Sequence, residues 1–211
     1  VLSGSAAVVT DAPLATHLLI AADTGRGTGL FLTEFDAAAP PTGLTVHGYR
    51  TIDDRRAADL ELDGVRVAAP LFDDATAELD RASDEAAAAV CAEAVGGMRK
   101  VLADTVEYCK QRQQFGQPIG SFQVLQHRMV DMYIEVEQAV AAVYLAILNL
   151  EADADVRARA VSAAKAVVGR AARFVGQNAV QLHGGMGMTE ELAIGHYFKR
   201  LTAVQYEFGS T

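Results

Sequence analysis

The sequence has very little cysteine, which limits both its fold and its setting. Only Cys91 and Cys109 occur in the 211 residues, too few for a disulfide framework. Both lie within helical patterns, where a free cysteine behaves as a small buried hydrophobic residue. We therefore expect two buried free thiols and a reducing, cytoplasmic setting.

The sequence also lacks a cluster of basic residues and a long apolar run. Its 18 basic and 27 acidic residues give a net charge of −9. Nucleic acid is not expected as the main partner, because phosphate binding needs clustered Lys and Arg. Charged and amide residues break every apolar stretch before it reaches the roughly 18 residues of a membrane helix. We expect neither a membrane span nor a metal site.

The first third of the chain carries the signals of short strands. It begins without Met at Val1, inside a strand-like pattern, and we expect it to be part of a longer protein. Residues Leu60–Val67 alternate around Asp63-Gly64, which predicts a hairpin. Short apolar runs between turn-forming residues predict an antiparallel sheet or barrel. The runs are Ala6–Thr10, His17–Ala21, Leu30–Thr33 and Leu60–Leu62.

After residue 72 apolar residues recur every three or four positions, as on one face of an amphipathic helix. The pattern predicts three long helices and a fourth of about three turns that opens at Thr189. Long helices with short links favour an up-and-down bundle. The predicted fold class is therefore α+β, with a partial antiparallel β-domain over 1–72 and a four-helix bundle over 73–211. The three long faces are Cys91, Val95, Met98, Leu102, Val106, Cys109; Leu125, Met129, Met132, Val136, Val140, Val143, Ile147; and Val161, Ala164, Val168, Ala171, Val175, Ala179, Leu182.

One candidate ligand-binding segment lies at the end of the first predicted helix and in the turn that follows, over 110–123. Arg112 at such a helix end can leave the bundle and bind a phosphate with two hydrogen bonds. Gln123 can donate an amide hydrogen to the same ligand. The alternative is a cation that stabilises the helix C-terminus.

A second candidate segment is the glycine-rich turn over 181–190. Glycines let a backbone approach a ligand closely and leave amides free for an anion or a nucleotide. The alternative is a simple turn between two helices. His183 is interpreted as a structural hydrogen-bonding residue, because no Ser or Cys nucleophile is paired with it.

A third candidate is Glu207, an acid among aromatic residues beside a glycine turn. A carboxylate in an apolar pocket has its pKa raised toward the range of a useful base. The alternative is a solvated glutamate on a loop.

These segments together resemble the acyl-CoA dehydrogenase family. Arg112–Gln123 resembles its FAD-binding segment, and Gln181–Gly187 resembles its second flavin-nucleotide segment. Leu2–Gly4, Val9–Ala12, Leu30–Leu32 and Leu62–Val67 resemble later strands of its middle β-domain, so the resemblance covers nearly the whole chain.

The resemblance implies a flavin enzyme of fatty-acid or other lipid metabolism. A glutamate removes the proton next to the thioester carbonyl, a hydride passes from the β-carbon to FAD, and the product is a 2-enoyl-CoA. Electron-transfer flavoprotein then reoxidises the FAD. The residues implied in FAD binding are Arg112, Phe115, Gln123, Gln181, Gly184 and Gly185.

Arg112 and Gln123 are implied to reach the FAD of a neighbouring subunit. The resemblance therefore also implies a homo- or hetero-oligomer, a dimer or a tetramer, and a homotetramer is the form we predict.

The base falls out of register with the family. Counting without gaps from Gly185 places Phe208, not Glu207, at the usual base position. Counting back from Arg112 to the other position that the family uses gives Ala86, beside Glu85. We predict Glu207, because it keeps the family's Tyr-Glu pair.

Two alternatives stay open at this point. One is a partner subunit without a base, since the Phe198–Thr202 and Phe208–Thr211 strings resemble actinobacterial two-subunit enzymes that act on steroid side chains and bulky acyl groups. The other is an acyl-CoA oxidase or flavin monooxygenase on the same scaffold.

Overall fold

The computed structural model describes residues 1–209, and Ser210 and Thr211 of the predicted C-terminal string lie outside them. The chain divides into two compact units, Val1–Asp80 and Arg81–Thr211. The domain limits predicted at 1–72 and 73–211 stay a prediction.

The first unit is built from antiparallel strands. Its three-stranded sheet has the order β1-β5-β4, and β2 pairs with β3 in a separate two-stranded sheet. Inward-facing side chains of both sheets, among them Leu18, Leu44 and Leu60, form one hydrophobic core. The strands are β1 Leu2–Thr10, β2 His17–Asp23, β3 Thr28–Glu34, β4 Leu44–Arg50 and β5 Arg56–Val65.

The hairpin predicted at Asp63-Gly64 is wrong. Strand β5 runs through both residues, and Leu62 pairs with Gly4 on one side and Leu44 on the other. The Asp63 amide donates to the Gly43 carbonyl at 2.8 Å, so the polar pair continues the ladder. Gly64 has φ +68°, a local irregularity that glycine allows within the strand.

The second unit is helical. Its helices are α1 Thr76–Gln111, α2 Gln123–Leu148, α3 Ala154–His183 and α4 Ala193–Ala203. The first five residues of α1 precede Arg81, where this unit begins. A small hairpin, β6 Gln113–Gln114 and β7 Gln117–Pro118, and a 3-10 turn at Ile119–Ser121 join α1 to α2. A second 3-10 turn, Gly184–Met188, follows α3. The predicted α+β fold class is confirmed.

The predicted helical faces form the core of this unit. All seven positions of the α3 face are buried, and Cys91 and Met98 of α1 pack in the same core as Met132 of α2. Both cysteines are buried and free. Ile147, at the end of the α2 face, is instead 45% exposed.

The fourth helix begins later than predicted. Thr189 donates its hydroxyl to the Met186 carbonyl at 2.9 Å and closes the glycine turn, and the residue at the N-cap position of α4 is Leu192. Helix α4 starts at Ala193, after Leu192 in an extended conformation. None of the helices within residues 1–209 is long and apolar enough to cross a membrane.

Candidate functional site

The two predicted cofactor segments meet at one end of the bundle. There the end of α1, the small hairpin and the glycine turn form an open groove of about 450 Å³. The structure therefore brings together Arg112, Gln181 and the Gly184-Gly185 pair. The lining residues are Tyr108, Arg112, Gln114, Ile119, Gln181, Leu182, His183, Gly184, Gly185 and Met186.

Arg112 is fixed by its backbone and exposed at its side chain. Its amide donates to the Tyr108 carbonyl, and its carbonyl accepts from the Ile119 amide, each at 2.8 Å. Among residues 1–209 no carboxylate forms a salt bridge with its guanidinium. The residue can therefore offer a bidentate site to an anion from outside the chain.

The glycines of the turn differ in what they face. A Cβ added at Gly184 or Gly185 would meet no atom within 4 Å. A Cβ at Gly187 would lie 2.7 Å from the Val180 carbonyl oxygen. Gly187 is thus required by packing against α3, whereas the backbone of Gly184 and Gly185 is open to a ligand in the groove.

Tyr108 and His183 form one wall of the groove. Their rings stack at 4.3 Å with an angle of 28° between planes. His183 is buried, its Nδ1 bonds the Ala179 carbonyl at 2.8 Å, and the Tyr108 hydroxyl donates to the His183 carbonyl at 3.4 Å. Sequence reasoning missed Tyr108, although it lies four residues before Arg112, in the last turn of α1.

Phe115 and Gln123 do not line this groove. Phe115 has φ +54° and Gly116 φ +80°, which makes the tip of the hairpin a tight two-residue turn. Phe115 is 91% exposed, and its ring lies at right angles to that of Phe122, with 6.2 Å between centroids. Gln123 is the exposed first residue of α2.

Glu207 lies beyond α4 and outside the groove. Its Oε1 accepts from Arg200 Nη1 at 2.5 Å, and its Oε2 accepts from Nη2 at 3.1 Å. The same guanidinium donates to both carboxylate oxygens of Glu93 on α1, at 2.7 and 2.8 Å. Arg200, which sequence reasoning missed, therefore bridges two carboxylates; its only sequence signal is a basic residue near the end of a helix.

Lys165 of α3 forms hydrogen bonds to the backbone around Glu207. Its ammonium is buried and donates to the carbonyls of Val204, Gln205 and Gly209 at 2.8–3.0 Å. Burial lowers the pKa of Lys165, and the charges of the neighbouring Cys91 and Glu207 act in the opposite direction.

The other positions considered for the base lie elsewhere. Glu85 is exposed on α1 and accepts from Arg81 at 2.7 Å. Ala86 beside it is half-buried. Phe208, at the ungapped base position, is 54% exposed with φ +51°. No cluster of three or more metal-ligating side chains occurs in the described part of the chain.

Known proteins share this architecture. The C-terminal domain model of acyl-CoA dehydrogenases matches residues 80–211, more than half of the chain. The chain belongs to the acyl-CoA dehydrogenase family. The acyl-CoA dehydrogenase IpdE2 of Mycolicibacterium smegmatis is 42% identical over 118 residues, which are 56% of this chain and 36% of that relative.

Two solved structures superpose on nearly the whole chain. The Tcur3481-Tcur3483 steroid ACAD has a TM-score of 0.86 at 32% identity and covers 99% of this chain. The ChsE4-ChsE5 complex from Mycobacterium tuberculosis has a TM-score of 0.86 at 28% identity and the same coverage. This chain covers 55% and 56% of those chains, so it spans a little more than half of their length.

The groove fits the cofactor of this family. Acyl-CoA dehydrogenases are flavoprotein oxidoreductases that bind FAD. An exposed guanidinium and the side-chain amide of Gln181 supply donors that a diphosphate and a nucleotide accept from, and the glycine turn leaves room for a close approach.

Proposed function

We propose that this chain is the flavin-holding part of an FAD-dependent acyl-CoA dehydrogenase. The observation that supports it is the groove, where Arg112 from the first segment lies beside Gln181 and Gly185 from the second. A simple helix turn gives no reason for an exposed cation and an open glycine backbone to line one groove.

Each residue of the groove has a role in this proposal. Arg112 binds a phosphate oxygen pair, Gln181 donates its amide, and Gly184 and Gly185 let the backbone approach the adenosine diphosphate part. When bound, FAD supplies the acceptor for the hydride that leaves the β-carbon of an acyl-CoA. The product is a 2-enoyl-CoA, and electron-transfer flavoprotein takes up the electrons.

Phe115 and Gln123 act across a subunit interface in this proposal. Phe115 is 91% exposed at the tip of the hairpin, and its burial by a partner would be favourable, because apolar surface would be removed from water. We assign both residues, with Arg112, to the FAD of a neighbouring subunit in a homo- or hetero-oligomer. The Arg112 groove then belongs to a site that two subunits complete.

Glu207 is the proposed base. Its half-buried carboxylate removes the proton next to the thioester carbonyl, for which at least one oxygen must exchange its bond with Arg200 for the substrate. A positioned base contributes about 10²–10⁴-fold to a rate.

The test uses the full-length protein with bound FAD, mixed anaerobically with straight-chain, branched and steroid-side-chain acyl-CoAs. We expect at least one thioester to bleach the flavin, and Glu207→Gln to slow bleaching by about a hundredfold or more. Glu85→Gln is the matched control, because Glu85 is exposed and paired with Arg81. Absence of bleaching with every thioester and any partner subunit would refute the activity, and normal bleaching by Glu207→Gln would refute the base.

A second candidate function is a partner subunit that lacks a base. It is favoured by the Arg200 contacts, which engage both oxygens of Glu207. The structural match to the ChsE4-ChsE5 complex is consistent with it. Co-expression with neighbouring genes tests it: full activity of this protein as a homo-oligomer would exclude the role.

A further inference from the structure

We propose that Lys165 is a positioning residue that holds the segment Val204–Gly209 in place and thereby sets where the Glu207 carboxylate lies. The effect on catalysis rests on the proposed role of Glu207 as the base, whereas the effect on the backbone does not.

The ammonium group of Lys165 is fully used by this segment. Its three hydrogens match three carbonyl acceptors, Val204 at 3.0 Å, Gln205 at 2.9 Å and Gly209 at 2.8 Å. The residue is 6% exposed, so water does not readily replace these bonds. A lysine is rarely buried to this extent without such partners.

The positions of the three acceptors explain why one side chain can hold the segment. Helix α4 ends at Ala203, and carbonyls at and beyond a helix end lack partners within the helix. Val204 and Gln205 precede Glu207, and Gly209 follows it. Lys165 therefore ties both sides of the turn to α3, and a cation at this helix C-terminus is also favoured by the helix dipole.

Lys165 and Arg200 contact different parts of this segment. Arg200 bonds the Glu207 carboxylate itself, whereas Lys165 bonds only backbone carbonyls around it. Loss of Lys165 should thus move the backbone that carries Glu207 while the Arg112 groove keeps its shape. A residue needed only for global stability would instead loosen the whole bundle.

The first measurement is hydrogen exchange of the full-length, FAD-loaded protein. The Val204 amide donates to the Arg200 carbonyl and the Tyr206 amide to the Ala203 carbonyl, so both report on the segment. In Lys165→Met we expect these amides to exchange about tenfold faster or more, the size expected from losing one hydrogen bond to a charged group. Peptides from α2 should be unchanged. Arg159→Met, an exposed cation on the same helix, is the control.

The second measurement is the anaerobic half-reaction with an acyl-CoA that bleaches the flavin. Lys165→Met should slow reduction by up to about a hundredfold, the cost of a misplacement near 1 Å, with little change in thioester Kd. The Lys165→Met/Glu207→Gln double variant should be no slower than Glu207→Gln alone. Once the Glu207 carboxylate has been removed, displacement of its backbone has no base left to misplace.

The outcomes separate this proposal from the proposed function. Wild-type exchange at Val204 and Tyr206 in Lys165→Met, or exchange that rises throughout the bundle, would overturn it. So would a double variant whose loss is the product of the single losses. Normal reduction by Glu207→Gln would refute the base alone, and the exchange rates would still decide the role of Lys165. Lys165→Gln, which keeps two donor hydrogens, replaces Lys165→Met if that variant does not fold, and failure of both would overturn the local role.

Discussion

Two glycines of one turn allow the candidate cofactor groove to be tested with a single methyl group. Gly185→Ala adds a Cβ that meets no protein atom within 4 Å. Gly187→Ala adds a Cβ only 2.7 Å from the Val180 oxygen and 3.1 Å from the Cβ of His183. The two variants therefore place the same group either in the open groove or against the last turns of α3.

The expected free energies differ in sign. At Gly187 the obstructing oxygen belongs to a helical backbone and cannot move without shifting α3, so overpacking should cost about 1–3 kcal/mol of stability. At Gly185 the backbone is not left-handed, and alanine in a helical turn should be neutral or stabilising by about 0.5–1 kcal/mol. A cofactor that approaches the backbone of Gly185 would meet the added methyl group. A misfit of about 1–3 kcal/mol raises the Kd for FAD roughly 5- to 150-fold.

The assay combines urea unfolding of the FAD-free, full-length protein with a fluorescence titration of FAD. Gly185→Ala should keep its stability and lose FAD affinity, whereas Gly187→Ala should lose stability before FAD is added. Wild-type FAD affinity in Gly185→Ala would refute the close approach of the cofactor to this backbone. A loss of FAD-free stability in Gly185→Ala equal to that in Gly187→Ala would refute the distinction between the two glycines.

Three further outcomes follow from the contacts. Arg112→Lys should lower FAD retention about tenfold, because a point charge replaces a bidentate fork, and Arg112→Gln should lower it further; the ratio of flavin to protein absorbance measures both, and equal retention in all three proteins would contradict the contact. Arg200→Met should lower the free energy of unfolding by about 1–3 kcal/mol, because it leaves the Glu93 and Glu207 carboxylates side by side, and Glu93→Gln in the same protein should recover part of the loss. Burial raises the pKa of the Cys91 and Cys109 thiols, so less reactive thiolate is present at any given pH, and mass spectrometry should find both alkylated only after unfolding; labelling of the native protein would contradict this.

Much of the helical unit could be predicted because helical periodicity is a local property. Each position of the predicted α3 face is buried, and Cys91 and Met98 lie in the core as the spacing indicates. The helix boundary at Thr189 was wrong for a reason that spacing does not contain. The Thr189 hydroxyl donates to the turn behind it, and the helix begins four residues later, after Leu192 in an extended conformation.

The strands were harder to predict because their partners are distant in sequence. Asp63-Gly64 has the residue types of a hairpin turn, yet β5 is central and bonded on both sides. Pairing with two neighbours stabilises an extended backbone that local preference alone would bend. Strand β4, which the apolar runs did not indicate, is one of those neighbours.

The two segments that line the groove were identified by their motifs, and their role in binding a cofactor stays a prediction. The ionic contacts around Glu207 were not predicted. Lys165 and Arg200 have the sequence signature of ordinary surface cations on amphipathic helices. Their roles depend on how α1, α3 and α4 pack, which places Glu93 and the end of α4 within reach of them. No spacing along the chain encodes that three-helix arrangement.

The structure shows which contacts surround the residues at and beside the expected base position. The ungapped position holds Phe208 in a left-handed conformation, and the neighbouring Glu207 is turned into the ion pair with Arg200. A protein in which Arg200 keeps that carboxylate would bind FAD but need a partner's base to reduce it. A protein in which the thioester displaces Arg200 would reduce FAD unaided. Bleaching by Glu207→Gln with and without a partner subunit therefore distinguishes the two: loss in both conditions supports Glu207 as the base, and restoration by the partner supports the subunit role.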